Sequence, residues 1–346
     1  MKYLHYKFLI LTILFGSIIM MPHVKISATE NNSRLNALPL DLQGHRGARG
    51  LAPENTLSAF KKALEIGVTT LELDIGITAD NVPIISHNPF LEPDFTRSPD
   101  GKWLTEEDNI IYSMDLKTLK TFDVGRIDSS TRYSSKYPEQ VPADGQTIPT
   151  LLEVIELIKS MGNETVRLNI ETKISPLKAD LMADVKTFTN VLMTLLGEQG
   201  FLGRVTIQSF DWRIVQDVQK RFPSVPTSYL TVKQSWYDTV SPDQSGLSPW
   251  AAGFKLSDFD GNLPRMVKAA GGKMWSVYFK ELTPELVVEA HELGIFVKVW
   301  TVNDVDDMER LIDMGVDGII TDYPNRLRKI MSDRGMVLPA KSPAKP

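Results

Sequence analysis

The sequence predicts a (β/α)₈ barrel of the TIM type, and three observations predict it. Short β-rich runs alternate with amphipathic helical runs from about residue 42 to residue 321, and repeated strand–helix units favour a parallel sheet. The 346 residues suffice for a barrel of roughly 250 residues with insertions. Polar side chains also recur at the ends of the strands, where barrel enzymes carry their functional groups.

The elements follow from periodicity and from helix and turn signals. The first predicted helix places Ala59, Phe60, Ala63 and Leu64 on one face, and Pro284 is suited to the first turn of a later helix. The predicted strands cover 42–47, 70–78, 82–86, 166–173, 204–210, 227–231, 252–256, 274–279, 296–301 and 318–321. The predicted helices cover 55–66, 151–160, 180–196, 212–222, 284–293 and 305–314.

The strand count exceeds what a barrel needs. The run 82–86 forms a hairpin with the strand before it, through the turn at Ala79-Asp80-Asn81. One further strand is then in excess of eight, and we assign 252–256 to an excursion outside the barrel. An open doubly wound sheet is the alternative architecture, although no GxGxxG motif follows the first strand.

The chain divides into a leader, a barrel domain and a tail. The barrel domain is predicted over residues 40–332. Residues 88–148 form an insertion rich in Pro, Asp, Ser and Tyr, and such a long stretch without periodicity usually carries function or forms a subdomain. We expect it to lie over one face of the barrel. The tail over 335–346 is rich in Pro, Ala and Lys and is predicted to be disordered.

The N-terminus predicts export. Lys2 and Lys7 precede an apolar run over 8–21, which has the length of a signal-peptide core and is shorter than the roughly 20 residues of a membrane span. Cleavage after Ala28 would remove a signal peptide of residues 1–28, and an uncleaved anchor is the alternative. We therefore expect a periplasmic or secreted protein.

Composition excludes several classes of site. The chain has no cysteine, which excludes disulfides, thiolate nucleophiles and cysteine-based metal centres. Its 38 Lys and Arg against 43 Asp and Glu give a net charge of −5, so we expect no nucleic-acid partner. An anionic substrate would need local positive charge from a metal ion or from a few placed Arg and Lys side chains.

Carboxylates end two of the predicted strands. Glu72 and Asp74 are two residues apart, so they share one face of their strand. Like charges this close are costly unless a cation or a proton bridges them. Glu171 ends the next parallel strand, with Lys173 on the same face. Three oxygen donors without cysteine suit Ca²⁺, Mg²⁺ or Mn²⁺ rather than zinc; a solvated edge strand and a simple ion pair are the alternatives.

Two histidines lie at strand ends. His45 and Arg46 leave the first strand between glycines, where backbone can approach a ligand closely, although a surface turn is the alternative. His87 follows the hairpin, and a structural role is its alternative. Imidazole is the natural acid or base near neutral pH. Trp300 ends a later strand and could form one wall of a substrate slot or pack in the core.

These motifs, taken in their order along the chain, resemble those of the glycerophosphodiester phosphodiesterase family. The resemblance spans about residues 43–330, and the ordered set is highly specific although each motif is weak alone. The matching motifs are Gly44-His45-Arg46-Gly47, Pro53-Glu54-Asn55-Thr56, Glu72-Leu73-Asp74, His87, Asn169-Ile170-Glu171-Thr172-Lys173, Gln208-Ser209-Phe210, Val299-Trp300-Thr301-Val302-Asn303 and Gly315-Val316-Asp317-Gly318-Ile319-Ile320-Thr321-Asp322.

The resemblance implies a role for each polar group. His45 and His87 would be the acid/base pair, and Arg46 and Lys173 would bind phosphate oxygens. The implied ligands of one divalent cation, Ca²⁺ or Mg²⁺, are Glu72, Asp74 and Glu171. Two positions depart from the family pattern without touching a proposed ligand. Asn88 stands where Asp is common, and Thr172 stands where Ile or Leu is more frequent.

The implied reaction is metal-assisted hydrolysis of a small glycerophosphodiester to sn-glycerol 3-phosphate and an alcohol. The attacking group is either the neighbouring glycerol hydroxyl, which gives a cyclic phosphate, or water. Lysophospholipase D-type hydrolysis of lysolipids at the same site is the nearest alternative. A phospholipase C-like activity and a catalytically inactive binding protein are more distant ones. We expect membrane contact only through an uncleaved leader or through a lysolipid substrate.

Overall fold

Residues 39–343, which the computed structural model describes, contain a closed parallel β-barrel. Eight strands pair side by side in the order β1-β2-β4-β5-β6-β9-β10-β11, and β11 pairs with β1 to close the ring. The predicted barrel is therefore confirmed. The strands are β1 (Asp41–Gly44), β2 (Thr70–Ile77), β3 (Pro83–Ile85), β4 (Arg167–Thr172), β5 (Val205–Ser209), β6 (Thr227–Thr231), β7 (Lys233–Gln234), β8 (Tyr237–Asp238), β9 (Met274–Tyr278), β10 (Phe296–Trp300) and β11 (Gly318–Thr321).

Helices alternate with the barrel strands along the chain, and most of them start at a side-chain cap. Thr150 and Glu153 form a capping box, and Thr283 caps the helix that begins at Pro284, as the sequence predicts. The helices are α1 (Leu57–Ile66), α2 (Leu116–Leu119), α3 (Leu151–Ser160), α4 (Val185–Glu198), α5 (Trp212–Arg221), α6 (Leu263–Ala269), α7 (Pro284–Glu292), α8 (Val305–Met314) and α9 (Pro324–Asp333).

The structure corrects two predicted elements and contains helices that were not predicted. The run 252–256 is not a strand, because Ala252 has a φ of 51° and turns the chain into a short 3₁₀ helix over Leu256–Phe259. Helix α4 starts later than predicted because the Asp184 side chain accepts hydrogen bonds from the backbone N–H groups of residues 186 and 187. Helices α6 and α9 are absent from the prediction; both begin with Pro in the first turn.

Strand β2 separates its two faces by polarity. Leu71, Leu73 and Ile75 are fully buried in the main apolar cluster. The side chains between them, Glu72 and Asp74, therefore point to the opposite side of the strand. That alternation places two carboxylates inside the barrel while the apolar side chains pack with the main core.

The insertion over 88–148 carries its own small core. Apart from α2, the structure there consists of turns, short 3₁₀ segments and isolated bridges such as Arg97 with Trp103. It packs through a second apolar cluster that includes residues from both of its ends: Ile84, Leu91, Ile111, Leu119, Phe122, Val124 and Ile148. Since β3 pairs antiparallel with β2, the insertion starts beside the strand that carries the two carboxylates.

Residues 335–343, the described part of the tail that was predicted to be disordered, are hydrogen-bonded to the barrel domain, and residues 344–346 lie outside the described residues. The backbone N–H of Ser342 donates to the Leu64 carbonyl at 2.9 Å, and Asn163 Nδ2 donates to the Ser342 hydroxyl at 2.8 Å. Backbone and hydroxyl bonds therefore hold this segment beside α1. The predicted signal peptide over 1–28 lies outside the described residues. Within 39–343, no helix is long and apolar enough to cross a membrane.

Candidate active site

Three carboxylates meet inside the barrel because of strand register. Asp74 on β2 pairs directly with Glu171 on β4, and Glu72 lies two residues before Asp74 on the same face. One oxygen from each carboxylate lies within 4.8 Å of the others. The exposed fractions are 1% for Glu72, 0% for Asp74 and 8% for Glu171. The predicted acidic cluster is thus assembled and almost fully buried.

Burial and neighbouring charges shift the pKa values of the three carboxylates in different directions. Burial raises the pKa of Glu72 well above its usual range, and the neighbouring Asp74 and Glu171 raise it further. Burial also raises the pKa of Glu171, against the opposing effect of Lys173. For Asp74, burial is outweighed by Arg46 and other cations, so its pKa lies well below the usual range.

The cluster fits a divalent cation. The Oδ1 atom of Asp74 is buried without a hydrogen-bond partner, and the Lys173 ammonium lies 3.7 Å from it. A buried carboxylate oxygen without a partner is unusual in proteins and needs an explanation. Three convergent oxygen donors provide one, because Ca²⁺ and Mg²⁺ prefer such ligands. Glu72, Asp74 and Glu171 could therefore hold such an ion.

Two predicted cations border the carboxylates. Arg46 follows β1 with a φ of 49°, and its backbone N–H donates to Glu72 Oε2 at 3.0 Å. Its guanidinium is hydrogen-bonded to Glu54, and its Nε lies 3.1 Å from Asp74 Oδ2. Lys173 Nζ lies 2.6 Å from Glu171 Oε1. Both positive groups thus lie where an anion bound over the carboxylates would be neutralised.

His45 is oriented by a carboxylate that directly follows the neighbouring strand β11. Its Nδ1 lies 2.6 Å from Asp322 Oδ1, and its Nε2 lies 3.9 Å from Glu72 Oε2. Arg49 and Asn303 also donate to Asp322, which fixes that carboxylate in place. Burial lowers the pKa of His45 and Arg49 adds to this, while Asp322 opposes both.

His87 has an uncharged partner instead. Its Nδ1 lies 2.7 Å from Asn88 Oδ1, and Asn88 Nδ2 donates to Glu92 Oε2 at 2.6 Å. Burial lowers the pKa of His87 well below its usual range, and Arg46 and Lys173 add to the effect. Because an amide oxygen accepts the Nδ1 proton, neutral His87 presents a free lone pair at Nε2.

Trp300 lies in an aromatic wall at the carboxyl ends of β5, β9 and β10. Its ring contacts Phe210 and Tyr278 with centroid distances of 5.4 and 5.5 Å, and its Nε1 donates to the Ser276 carbonyl. Tyr237 continues the wall from Phe210. The wall lies at the barrel end that carries the carboxylates, and the role of Trp300 beside a substrate stays a prediction.

A cavity of about 360 Å³ extends from the site under the insertion. Arg46 and His87 line it together with insertion residues such as Phe95 and Tyr133. Tyr133 donates a hydrogen bond to Glu54, the carboxylate that pairs with Arg46. The insertion therefore completes one wall of the site.

Sequence reasoning gave no role to several polar residues that the structure brings to the site. Gln208 donates to Glu72 at 3.1 Å, and Asn55 donates to Asp74 at 2.9 Å. Glu54 and Asp322 bind Arg46 and His45. All four residues belong to the motifs that carry the family resemblance. Membership of those motifs was the signal in the sequence that could have identified them as site residues. The partners of Asn55, Gln208 and Asp322, however, lie 19, 136 and 277 positions away in the sequence.

Comparison with known proteins gives one family. The model of the glycerophosphoryl diester phosphodiesterase family matches residues 45–326. A glycerophosphodiester phosphodiesterase of Caldanaerobacter subterraneus subsp. tengcongensis is 29% identical over 84% of this chain and 97% of its own length.

Solved structures agree in fold. A crystal structure from Silicibacter pomeroyi, assigned as a glycerophosphoryl diester phosphodiesterase, has a TM-score of 0.75 at 36% identity and covers 85% of this chain and 93% of that one. A phosphodiesterase of Oleispira antarctica, solved with the product sn-glycerol-3-phosphate, shares the fold with a TM-score of 0.58 at 22% identity, over 84% and 96% of the two chains.

Proposed function

The chain belongs to the glycerophosphoryl diester phosphodiesterase family and is a phosphoric diester hydrolase; from that premise we propose that it converts glycerophosphodiesters to sn-glycerol 3-phosphate and an alcohol by metal-assisted acid/base catalysis. The observation that carries this proposal is the convergence of three buried carboxylates with two hydrogen-bonded histidines at one end of the barrel.

We assign the phosphate to the space above the carboxylates. A phosphodiester is anionic and repels nucleophiles, and the charge on its oxygens grows in the transition state. Arg46 and Lys173 would neutralise that charge where it develops. A divalent ion held by Glu72, Asp74 and Glu171 would supply further Lewis-acid stabilisation.

The two histidines would divide the proton transfers. Each is held through Nδ1, His45 by Asp322 and His87 by Asn88, so each directs Nε2 to the site. The histidine that accepts the proton of the attacking hydroxyl must be neutral, and burial favours that form of both rings because it lowers both pKa values. The histidine that delivers a proton to the leaving oxygen must instead carry that proton on Nε2 as an imidazolium. Each transfer typically contributes about 10²–10⁴-fold to the rate.

The test is release of sn-glycerol 3-phosphate from glycerophosphocholine by the purified protein. We expect release to stop with EDTA and to return with Ca²⁺ or Mg²⁺, and the ion that restores it identifies the working metal. No release by folded protein with added metal would contradict the proposal. Lysophosphatidylcholine is the second substrate, since hydrolysis of that lipid alone would point to lysophospholipase D-type activity.

We also propose that the enzyme acts after export, in the periplasm or outside the cell. The support is the charged and apolar leader over residues 1–28. N-terminal sequencing of protein expressed in the native host tests this. A mature chain starting at Thr29 in the exported fraction is expected, and an intact chain in the cytoplasm would contradict it.

A further inference from the structure

The cavity under the insertion contains negative charge that the protein does not neutralise. Glu92 and Asp94 both line it, and in the part of the chain that the structure describes no Lys or Arg nitrogen lies within 4.0 Å of either carboxylate. Glu92 accepts hydrogen bonds from Asn88 and from a backbone N–H, both of which are uncharged. Burial raises the pKa of Glu92, and the hydrogen bond from the backbone N–H of Asp94 partly opposes that rise.

The cations around the cavity are already committed or lie outside it. Arg46 pairs with Glu54 and Asp74, and Arg49 binds Asp322 through two nitrogens. Lys136 is exposed at the edge of the cavity, where its Nζ lies 5.2 Å from the centre of the Tyr133 ring. The carboxylates of Glu92 and Asp94 thus remain available to a ligand.

Aromatic rings accompany the two carboxylates. Phe90, Phe95 and Tyr133 line the same cavity, and the Phe95 and Tyr133 rings contact each other with a centroid distance of 5.8 Å. Rings of this kind attract cations through their π-faces, and aromatic surroundings with nearby carboxylates are how proteins recognise ammonium groups. The position of Lys136 over Tyr133 shows that this ring accepts such a contact.

An independent observation indicates a polar ligand. Thr96 lines the cavity and is fully buried, yet its hydroxyl has no hydrogen-bond partner. Buried hydroxyl groups are normally hydrogen-bonded, because leaving one unpaired costs free energy. The cavity therefore offers a hydroxyl, two carboxylates and aromatic rings to one occupant.

The cavity also adjoins the reacting groups. Arg46 and His87 line both the cavity and the site over the carboxylates. A phosphodiester bound at Arg46 could extend one of its two ester arms past His87 into the cavity. Glycerol is neutral, so the arm that complements Glu92 and Asp94 is the other alcohol, provided that it carries an ammonium group.

We propose that the cavity lined by Glu92 and Asp94 binds the ammonium group of the leaving alcohol, and that it selects glycerophosphodiesters of amino alcohols over those of neutral polyols. This assignment rests on the proposed phosphodiesterase function. Asp94 is the better position for a substitution. Glu92 is hydrogen-bonded to Asn88, which contacts His87, so a substitution of Glu92 would also disturb the histidine.

The experiment compares kcat/KM for glycerophosphocholine and for uncharged-headgroup glycerophosphoglycerol in wild type and in Asp94→Asn. We expect wild type to prefer the choline ester. Asp94→Asn should lose about three- to tenfold in kcat/KM for that substrate alone, in keeping with one partly exposed charge pair. Asp94→Glu should restore most of the preference. The matched control is Asp100→Asn, which removes a charge from the same insertion at an exposed site outside the cavity.

A second measurement does not depend on any variant folding. Tetramethylammonium chloride should inhibit wild type competitively against glycerophosphocholine, whereas sodium chloride at the same ionic strength should not. Equal turnover of both substrates by wild type, equal loss on both in Asp94→Asn, or no specific inhibition would overturn the ammonium site and leave the phosphodiesterase function standing. Turnover of neither substrate would overturn the function and this inference together.

Discussion

The Nδ1 atom of His45 lies 2.6 Å from the Oδ1 atom of Asp322, although 277 positions separate the two residues. Strand pairing brings them together: Gly44 on β1 is in register with Thr321 on β11, and each strand is followed directly by one member of the pair. The ring of His45 is thereby held by a carboxylate on one side while Nε2 faces the site.

Replacing Asp322 by Asn should impair catalysis more than binding. Asp322 favours protonated His45, so its loss should lower the His45 pKa and reduce kcat by about 10–10²-fold. KM should change little, because Asp322 does not face the substrate. The pH dependence of kcat/KM tests this, with the limb assigned to His45 expected at lower pH. An unchanged profile with normal kcat would remove Asp322 from the mechanism.

Removing either site imidazole should abolish most turnover. His45→Ala and His87→Ala should each reduce kcat by at least about 10²-fold while metal binding persists. The matched control is His291→Ala, since His291 lies on α7 and pairs with Asp317, away from the carboxylates. Near-normal turnover in either site variant would exclude that histidine from the chemistry. Steady-state kinetics with saturating metal provides the measurement.

Metal affinity should fall as the pH falls. The raised pKa values of Glu72 and Glu171 mean that protons compete with the cation for these carboxylates. Below those pKa values the carboxyls are protonated, so we expect Ca²⁺ or Mg²⁺ to bind at least about tenfold more weakly at pH 5.5 than at pH 8. Calorimetric titration measures this. Glu171→Gln is the control for adventitious sites, and a Kd independent of pH would contradict the expectation.

Asn88→Asp should shift the pH profile upwards. A carboxylate beside Nδ1 would stabilise the charged imidazolium of His87 and raise its pKa. The limb of the kcat/KM profile that belongs to His87 should therefore move to higher pH. His87→Ala in the same background should abolish that limb. A profile identical to wild type would show that His87 does not control it.

Gly47→Ala should destabilise the fold. Gly47 has a φ of 86°, and a Cβ there would lie 2.6 Å from the Ala59 carbonyl carbon of α1. Strain and overlap together should lower the free energy of unfolding by about 3 kcal/mol. Gly101→Ala is the matched control, because Gly101 has a similar φ of 83° in open space and should lose about 1 kcal/mol. Urea unfolding measures the free energy of unfolding of both variants. Equal losses of stability would mean that the structure around residue 47 shifts enough to relieve the overlap.

Local patterns predict much of the fold. The predicted bounds of α3, α8, β6 and β11 are those of the structure, because each element has clear periodicity and unambiguous ends. The strand prediction for 252–256 is wrong, since a short apolar run does not reveal the positive φ of Ala252. The contacts of the C-terminal segment could not be predicted for a related reason. The composition of this segment is typical of disorder, and the hydrogen-bond partners of Ser342, which are Leu64 and Asn163, are far away in sequence.

The sequence by itself determined the barrel, the family and the identity of the acidic cluster. Side-chain alternation along a strand is a local property, so Glu72 and Asp74 share one face of any strand that contains them both. Strand register decided the rest. It set Asp74 beside Glu171, and it joined His45 to Asp322.

Tertiary structure alone decided how the insertion meets the site. Nothing local to Glu92 or Asp94 indicates that their carboxylates share a cavity with His87, because the insertion lacks the periodicity from which packing can be inferred. Charge compensation is likewise a property of the folded chain. Whether a carboxylate is paired depends on which cations the fold brings within a few ångströms, and those cations lie on other elements.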